Sequence, residues 1–355
     1  MSERELPSLN IGEYNLDLPI IQGGMSVRIS GAKLAARVAQ CGGAGTIGGV
    51  GRGFGSREYQ HLSPLEADRQ ALQKELRKAE EINPHGIHGV NLLVAVTDFK
   101  GLVRTAVDAG AKFIVAGAGL PTELPALTVG HPEVALVPIV SSLQALRIIC
   151  KKWKGKYDRL PDAFIIEEPF TAGGHLGVTP KQDIEDPNLR LDVVLPECLR
   201  YLESSNYKIP LVAAGGIWDR PDIDHMLALG ASGVQMATRF VCTPECEAPD
   251  SFKQKYIDSN LDDIVIIESP VGIPGRAIRT KFIDKVERGE ISDICRVSCL
   301  KNCSFRDSGD KYCIMQALKN VRDGNPEKGV VFAGSNAPRS KEIVPVRQIF
   351  DELTA

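Results

Sequence analysis

The sequence lacks the segments that send a chain into or across a membrane. No apolar run approaches the roughly 18 residues that a membrane-spanning helix needs. The stretch from Met1 to Leu6 shows no basic residues followed by an apolar run, so we expect no signal peptide. A cytoplasmic location is the resulting expectation, and the nine cysteines are then expected to be thiols or metal ligands rather than disulfides.

A surplus of charge of one sign is also missing. The chain has 42 basic and 45 acidic residues, which gives a formal net charge of −3. Nucleic acids and anionic lipids select strongly basic surfaces, so the composition offers no argument for either. We expect a small-molecule substrate, with no nucleic acid and no membrane as partner, and the composition is compatible with a homodimer.

No Gly-x-Gly-x-x-Gly run follows a predicted strand and opens a helix, so no Rossmann domain is predicted. Internal repeats of 20–50 residues and low-complexity tracts are absent as well. The lack of a Rossmann domain does not exclude a nicotinamide nucleotide, because a barrel can bind one without it.

Short apolar runs alternate with amphipathic stretches over the first 240 residues. The predicted strands are Pro19–Met25, Ala44–Val50, Gly89–Val96, Phe113–Gly117, Ala135–Ser141, Ala163–Glu167, Pro210–Ala214 and Gly233–Ala237. The predicted helices are Gly31–Gln40, Pro64–Ile82, Phe99–Ala109, Thr122–Val129, Ser142–Lys152, Leu191–Glu203 and Arg220–Leu229. Eight buried strands that alternate with helices predict an α/β fold, a TIM (β/α)8 barrel, with an open doubly wound sheet as the alternative.

The alternation ends after Phe240. We predict the barrel over residues 1–242, a smaller and mainly helical accessory lobe over 243–325, and a return of 326–355 to the barrel. Within the lobe, the stretch Cys295–Val321 is predicted to be helical.

A histidine follows paired glycines after the sixth predicted strand, in the run Ala172-Gly173-Gly174-His175-Leu176-Gly177. Glycines lack a Cβ and let the backbone approach a flat or charged ligand. Histidine is the side chain whose ordinary pKa lies near neutrality, so it suits proton transfer. Because the carboxyl ends of barrel strands surround the active site, we predict that His175 stands at the catalytic mouth.

The seventh and eighth strands also end in residues suited to ligand binding. Gly215 and Gly216 follow the seventh strand, and the eighth contains Gln235, Ala237 and Thr238. Loops at these two positions of a barrel commonly bind a phosphate through backbone N–H groups. The alternative is a pair of tight turns with ordinary core packing.

The first and third strands add residues that suit a flat ring. Gly23 and Gly24 leave backbone exposed at the mouth, and Met25 offers a polarisable contact. Asn91 is a polar residue inside a buried strand and must be hydrogen-bonded, either to the edge of a heterocycle or to neighbouring backbone.

Four cysteines cluster in the accessory lobe: Cys295, Cys299, Cys303 and Cys313. On a helix, the spacing of four would place the first three along one face. Four thiolates this close together can hold zinc or an iron–sulfur cluster. The spacing matches neither the paired Cys-x-x-Cys pattern of zinc sites nor the ferredoxin run, so reduced structural thiols and redox regulation remain alternatives.

Taken in order along nearly the whole chain, these motifs resemble the nitronate monooxygenase family, formerly called 2-nitropropane dioxygenases. The FMN-dependent enoyl-acyl-carrier-protein reductases share its fold and motifs. The resemblance implies that FMN is the cofactor and that His175 stands over it as catalytic base or acid. The residues implied to bind FMN are, at the phosphate end, Gly215, Gly216, Gln235, Ala237 and Thr238, and along the ring, Gly23, Gly24, Met25 and Asn91, with Gly174 completing the site.

The reaction that the resemblance implies is oxidation of an alkyl nitronate with O2 to a carbonyl compound and nitrite. One alternative is an NAD(P)H-dependent flavin reductase acting on an enoyl thioester or a quinone. An alternative of another class is a flavin-free isomerase or lyase that binds a phosphorylated substrate in the same loops.

Overall fold

An eight-stranded parallel sheet forms the centre of the protein. The structure is a computed structural model, and it describes residues 5–179, 181–291, 295, 297–309 and 312–355. The chain begins with a hairpin of β1 (Leu9–Ile11) and β2 (Tyr14–Leu16). The parallel strands are β3 (Ile20–Gln22), β4 (Gly45–Gly48), β5 (His88–Leu93), β6 (Phe113–Gly117), β7 (Ala135–Val140), β8 (Phe164–Glu167), β10 (Leu211–Ala214) and β11 (Gly233–Met236), and β9 (Gly174–His175) lies outside this sheet.

The parallel sheet closes on itself. Its strand order runs β3-β11-β10-β8-β7-β6-β5-β4, so β3 and β4 stand at the two ends. These ends meet through a parallel bridge between Ile21 and Ala44, and the Gln22 amide donates to the Ala44 carbonyl at 2.9 Å. The prediction of a (β/α)8 barrel is therefore confirmed, and the alternative of an open sheet is wrong.

Helices surround the barrel at the positions that the apolar spacing predicted. They are α1 (Ala32–Gln40), α2 (Pro64–Ile82), α3 (Phe99–Asp108), α4 (Leu124–Leu127), α5 (Leu143–Tyr157), α6 (Leu191–Ser204) and α7 (Arg220–Ala228). Local sequence signals fix where α2 begins, because Pro64 occupies its first position and Ser63 and Glu66 form a capping box. The prediction at Thr122–Val129 yields a single turn of helix. No helix in the described ranges is long and apolar enough to span a bilayer.

The barrel interior is a packed core that the N-terminal hairpin closes from below. Leu9, Ile11 and Leu16 of the hairpin share one buried cluster with inward-facing strand residues such as Val115 and Ile165. Side chains alternate between the two faces of a strand, so every second residue fills this interior while the others pack against the helices. With this end filled, the opposite end of the barrel remains for ligands.

The second part of the chain contains helices and a small antiparallel sheet. The helices are α8 (Thr238–Val241), α9 (Asp250–Ile257), α10 (Lys281–Glu287), α11 (Ser304–Ser308), α12 (Ile314–Arg322) and α13 (Val346–Thr354). The sheet joins β12 (Ile264–Glu268), β13 (Pro274–Ile278) and β14 (Val331–Phe332) with β9, the strand that contains His175. The sequence analysis did not predict this sheet, and its pairing across 100 residues explains why. The division of the chain at 242 and 325 stays a prediction.

The prediction of a helix over Cys295–Val321 is wrong for the described residues before α11. Residues 296, 310 and 311 of this stretch lie outside the described residues. Cys299 and Ser298 lie in irregular backbone, and Ser298 has φ of +46°, which an α-helix does not allow. This backbone is hydrogen-bonded to the loop after β5 instead. The Thr97 amide donates to the Cys299 carbonyl at 2.9 Å. Tertiary pairing therefore replaces the local helix. Cys303 and Cys313 stand at the N-caps of α11 and α12.

His88, at the start of β5, makes the stability of the folded state depend on pH. The side chain is buried with no hydrogen-bond partner for either ring nitrogen among the described residues. Burial, assisted by Lys112, lowers its pKa from 6.5 to about 4. Between pH 6.5 and pH 4, His88 takes up a proton in the unfolded chain but stays neutral in the folded protein. The free energy of unfolding therefore falls as the pH drops toward 4.

We predict that the free energy of unfolding falls more between pH 7 and pH 5 in the native protein than in His88→Leu, by about 2 kcal/mol. Urea denaturation at both pH values measures this difference. The exposed His85 supplies the control, since His85→Leu is expected to keep the native pH dependence. Equal losses in the native protein and in His88→Leu would contradict the prediction.

Candidate functional site

A cavity of about 510 Å³ opens at the carboxyl ends of the barrel strands. The barrel strands form one wall, and residues of the second part of the chain form the other, among them Val271, Leu300, Met315, Leu318 and Phe332. This second wall is mostly apolar. The cavity therefore combines a polar rim at the strand ends with an apolar cover.

The cavity contains all the site residues predicted outside the cysteine segment. They are Gly23, Gly24, Met25, Asn91, Gly174, His175, Gly215, Gly216, Gln235, Ala237 and Thr238. They come from five different barrel loops and strand ends, so only the closed barrel brings them together.

His175 is held by strand pairing between the two parts of the chain. In β9, Gly174 and His175 pair antiparallel with Arg276 and Gly275 of β13. The imidazole packs edge-on against the Phe332 ring, with centroids 4.9 Å apart, and its Nε2 lies 2.8 Å from the Ser269 hydroxyl. Burial lowers the pKa of His175 from 6.5 to about 4. The ring is therefore neutral at physiological pH.

Arg276 fixes the loop that leads from β8 to His175. Its buried guanidinium donates to the Pro169 carbonyl at 3.0 Å and to the Ala172 carbonyl. Burial lowers the pKa of Arg276 to about 10, against the opposing charges of Glu168 and Glu167. It remains a cation at neutral pH, and charge-assisted bonds of this kind are among the stronger ones in proteins. The glycines before His175 are thus held in one conformation.

Glu167 is an acidic group at the cavity that the sequence analysis did not single out. It ends β8 and lines the cavity. Burial raises its pKa from 4.5 to about 7, and the charge of Arg276 opposes this rise. An acidic residue at the strand end that precedes the Gly-Gly-His run was the signal in the sequence. A carboxyl group that titrates near neutrality can take up or release a proton there.

The ends of the seventh and eighth strands form a narrow cradle. Gly215 and Gly216 have φ of +104° and +70°, which favours glycine, and a Cβ on Gly216 would lie 2.9 Å from the Thr171 side chain. The C-terminal part of the chain meets this cradle, since the Gly334 amide donates to the Thr238 hydroxyl at 3.0 Å and the Asn336 amide group donates to the Gly216 carbonyl at 2.5 Å. These positions accept no larger side chain without rearrangement.

The first and third strands leave a flat, glycine-lined wall with one unsatisfied polar atom. The side-chain amide of Asn91 donates to the Gly24 carbonyl at 3.3 Å. Neighbouring backbone therefore provides one of the hydrogen bonds of Asn91, which is one of the two alternatives stated for this residue. A Cβ on Gly24 would lie 2.4 Å from the Asn91 Cβ. The Oε1 of Gln235 is buried and accepts no hydrogen bond in the described structure. Buried polar atoms are rarely left unpaired, so this atom points to a missing donor.

The cysteine segment does not form a metal centre in the described residues. No group of three or more His, Cys, Asp or Glu side chains stands there in an arrangement that could hold a metal ion. Cys299 lines the cavity. Burial, together with the neighbouring Cys313, Cys303 and Cys295, raises the pKa of its thiol to about 12. Cys299 is thus a protonated thiol at neutral pH.

Comparison with known proteins points to one family. A family model described as nitronate monooxygenase matches residues 8–355. A probable nitronate monooxygenase of Staphylococcus saprophyticus is 25% identical over 327 residues, which cover 84% of this chain and 87% of that protein. A (3aS,4S,5R,7aS)-5-hydroxy-7a-methyl-1-oxo-octahydro-1H-indene-4-carboxyl-CoA dehydrogenase of Mycobacterium tuberculosis is 25% identical over 77% of this chain, but the match spans only 66% of that relative.

Solved structures give the same fold. FabK from Thermotoga maritima is 25% identical, with a TM-score of 0.70 over 95% of this chain and 92% of that one. Nitroalkane oxidase from Streptomyces ansochromogenes is 19% identical, with a TM-score of 0.68 over 95% of both chains, which supports the fold alone.

We predict that Glu167 contributes a protonated carboxyl group that titrates near pH 7. Infrared difference spectra between pH 5 and pH 9 of the purified protein should show a carboxylic acid C=O band with a midpoint near that pH. Glu167→Gln should lose it, while substitution of the exposed Glu203 by Gln should not. A band that survives in Glu167→Gln would assign the titration to another group.

Proposed function

The chain belongs to the nitronate monooxygenase family of oxidoreductases, and from this premise we propose that it oxidises alkyl nitronates with O2 to a carbonyl compound and nitrite, with FMN as cofactor. The observation that carries the proposal is the position of His175: a neutral imidazole that lines a cavity whose rim is glycine-rich and whose cover is apolar.

The residues of the cavity fit FMN. The unpartnered Oε1 of Gln235 offers an acceptor to an N–H or hydroxyl of the cofactor. Gly23 and Gly24, with Met25 and Asn91, would lie along the flat ring. The cradle of Gly215, Gly216, Ala237 and Thr238 would receive the phosphate end, and Gly174 would complete the site. FMN supplies the electron chemistry when bound, and the protein supplies position and electrostatics.

His175 holds the reacting end of the substrate. With a pKa near 4 the neutral ring does not repel a cation or bind an anion by charge, so it acts through hydrogen bonding and proton transfer. A nitronate needs only orientation, whereas a neutral nitroalkane must first lose its α-proton. The carbon chain of the substrate would lie against the apolar cover formed by residues such as Leu300, Met315 and Phe332.

The second candidate is an NAD(P)H-dependent flavin reductase of enoyl thioesters or quinones. The likeness to FabK and the apolar character of the cover favour it. Anaerobic addition of NADH or NADPH separates the two. Rapid bleaching of the flavin would support the reductase, and a flavin that stays oxidised would support the monooxygenase.

One spectrum of the anaerobically purified protein tests several remaining proposals. Flavin absorption supports FMN and argues against a flavin-free isomerase or lyase that binds a phosphorylated substrate. Broad iron–sulfur absorption or stoichiometric zinc by metal analysis would revive a site at Cys295, Cys299, Cys303 and Cys313. A cytoplasmic location and a homodimer stay predictions, and size-exclusion chromatography with light scattering tests the latter.

We predict that His175→Ala retains FMN but loses turnover of a neutral nitroalkane by about 100-fold or more, the typical contribution of a general base. Turnover of the preformed nitronate should fall less, because no proton has to be removed. Both rates are measured as O2 consumption with equal amounts of FMN-loaded protein. His225, on the exposed face of α7 beside Asp192, provides the control His225→Ala. An unchanged nitroalkane rate would refute the role of His175.

We predict that Gln235→Leu weakens FMN binding by about tenfold, since it removes one hydrogen bond. It should not destabilise the FMN-free protein, because the acceptor that it removes has no partner there. Quenching of FMN fluorescence gives the affinity, and thermal unfolding without FMN gives the stability. Equal losses of affinity and stability would indicate a purely structural role for Gln235.

A further inference from the structure

Residues 333–339 form a clasp over the cradle at the ends of the seventh and eighth strands. Both ends of this clasp are held by other parts of the protein. At one end the Ala333 amide donates to the Arg276 carbonyl at 3.2 Å. At the other end the guanidinium of Arg339 and the carboxylate of Asp219 lie 2.6 Å apart. The function proposed above assigns no role to the clasp.

The cradle contains three successive backbone amides for which the described part of the chain offers no acceptor. They belong to Gly215, Gly216 and Ile217, and all three residues line the cavity. Backbone amides in folded proteins are nearly always paired, so these three are available to an acceptor from outside the chain. A phosphate group offers several oxygens of this kind.

Asn336 fixes one of the peptide groups that carry these amides. Its side-chain amide donates to the Gly216 carbonyl at 2.5 Å. That carbonyl shares a planar peptide group with the Ile217 amide, so the bond that orients the carbonyl also orients the amide. Gly216, with φ of +70°, has a wide choice of backbone angles in the absence of such a bond. Asn336 therefore removes conformational freedom where a phosphate would bind.

Gly334 directs the Thr238 hydroxyl. A backbone amide can only donate, so the 3.0 Å bond from the Gly334 amide makes Thr238 Oγ1 the acceptor. The Thr238 proton finds no acceptor among the described residues, and Thr238 lines the cavity. A Cβ on Gly334 would lie 2.8 Å from the same oxygen, so a larger side chain does not fit there. The clasp thus leaves Thr238 with a proton to donate into the cradle.

We propose that Asn336 and Gly334 are positioning residues that arrange the cradle for the phosphate group of FMN, so that the protein distinguishes FMN from riboflavin. This inference rests on the proposed function, which takes FMN as the cofactor. Both residues act on the cradle, through the Gly216 carbonyl and the Thr238 hydroxyl. Their effect should therefore appear at the phosphate end and leave binding of the flavin ring unchanged.

The affinities of the two flavins test this role, because riboflavin is FMN without its phosphate. We expect Asn336→Ala to weaken FMN binding by about tenfold, as the loss of one orienting hydrogen bond would, and to change riboflavin binding by less than about twofold. Quenching of flavin fluorescence gives both dissociation constants. The control is Asn10→Ala, since the exposed Asn10 bonds Asn15 in the hairpin at the opposite end of the barrel. Both affinities should be native in that variant.

Two results with Asn336→Ala would overturn the proposal. Equal losses of affinity for FMN and riboflavin would show that Asn336 only supports the surrounding structure. Native affinity for FMN would show that the bond to Gly216 does not matter for the phosphate.

Hydrogen exchange of the native protein provides a test that needs no variant. If an ordered clasp strengthens binding of the phosphate, bound phosphate must stabilise the clasp by the same factor, because coupling between two sites is reciprocal. At saturating flavin we expect FMN to slow amide exchange in residues 333–339 about tenfold more than riboflavin does. Residues 9–16 of the N-terminal hairpin should exchange alike with both flavins. Equal protection of the clasp by FMN and riboflavin would overturn the proposal.

These outcomes are distinct from those of the proposed reaction, because they measure binding and not turnover. A protein that binds FMN through the clasp but does not oxidise nitronates would refute the reaction alone. A protein that oxidises nitronates but binds FMN and riboflavin equally well would refute the role of the clasp alone. A native protein that binds neither flavin would overturn both.

Discussion

The antiparallel pairing of Gly174 and His175 with Gly275 and Arg276 is the interaction on which the site depends. It joins a barrel loop to a strand that lies 100 residues later in the chain. Arg276 strengthens the joint from the same strand by binding two carbonyls of the loop. Without this pairing, the glycines before His175 would leave the imidazole free to rotate and the cavity open to solvent.

Enclosure by the second part of the chain then determines the chemistry of the groups inside. The same burial lowers the pKa of His175 and raises those of Glu167 and Cys299, because each group loses hydration of its charged form. The imidazole, the carboxyl group and the thiol are consequently shifted toward their neutral forms. A site of this kind selects by shape, hydrogen bonding and proton position more than by charge.

Much of this architecture was accessible from the sequence because its signals are local. The eight strands and their helices follow from apolar runs and periodicity, and most of the predicted cavity residues lie at or just after a strand end, such as Gly23–Met25 after β3 and Gly215–Gly216 after β10. The cysteine segment shows the limit. Its spacing satisfied a helical pattern, yet Cys299 pairs through its carbonyl with Thr97, a contact that no local pattern indicates.

The sequence by itself determined the barrel, the strand ends that meet at its mouth and the choice of His175 as the candidate catalytic residue. These depend on periodicity and on residue type. Only the tertiary structure decided what covers the mouth and how His175 is held. Ser269 is an ordinary residue in the sequence, far from the Gly-Gly-His run. It reaches His175 because β13, a few residues farther along the chain, pairs with β9, a contact between segments 100 residues apart that no local pattern encodes.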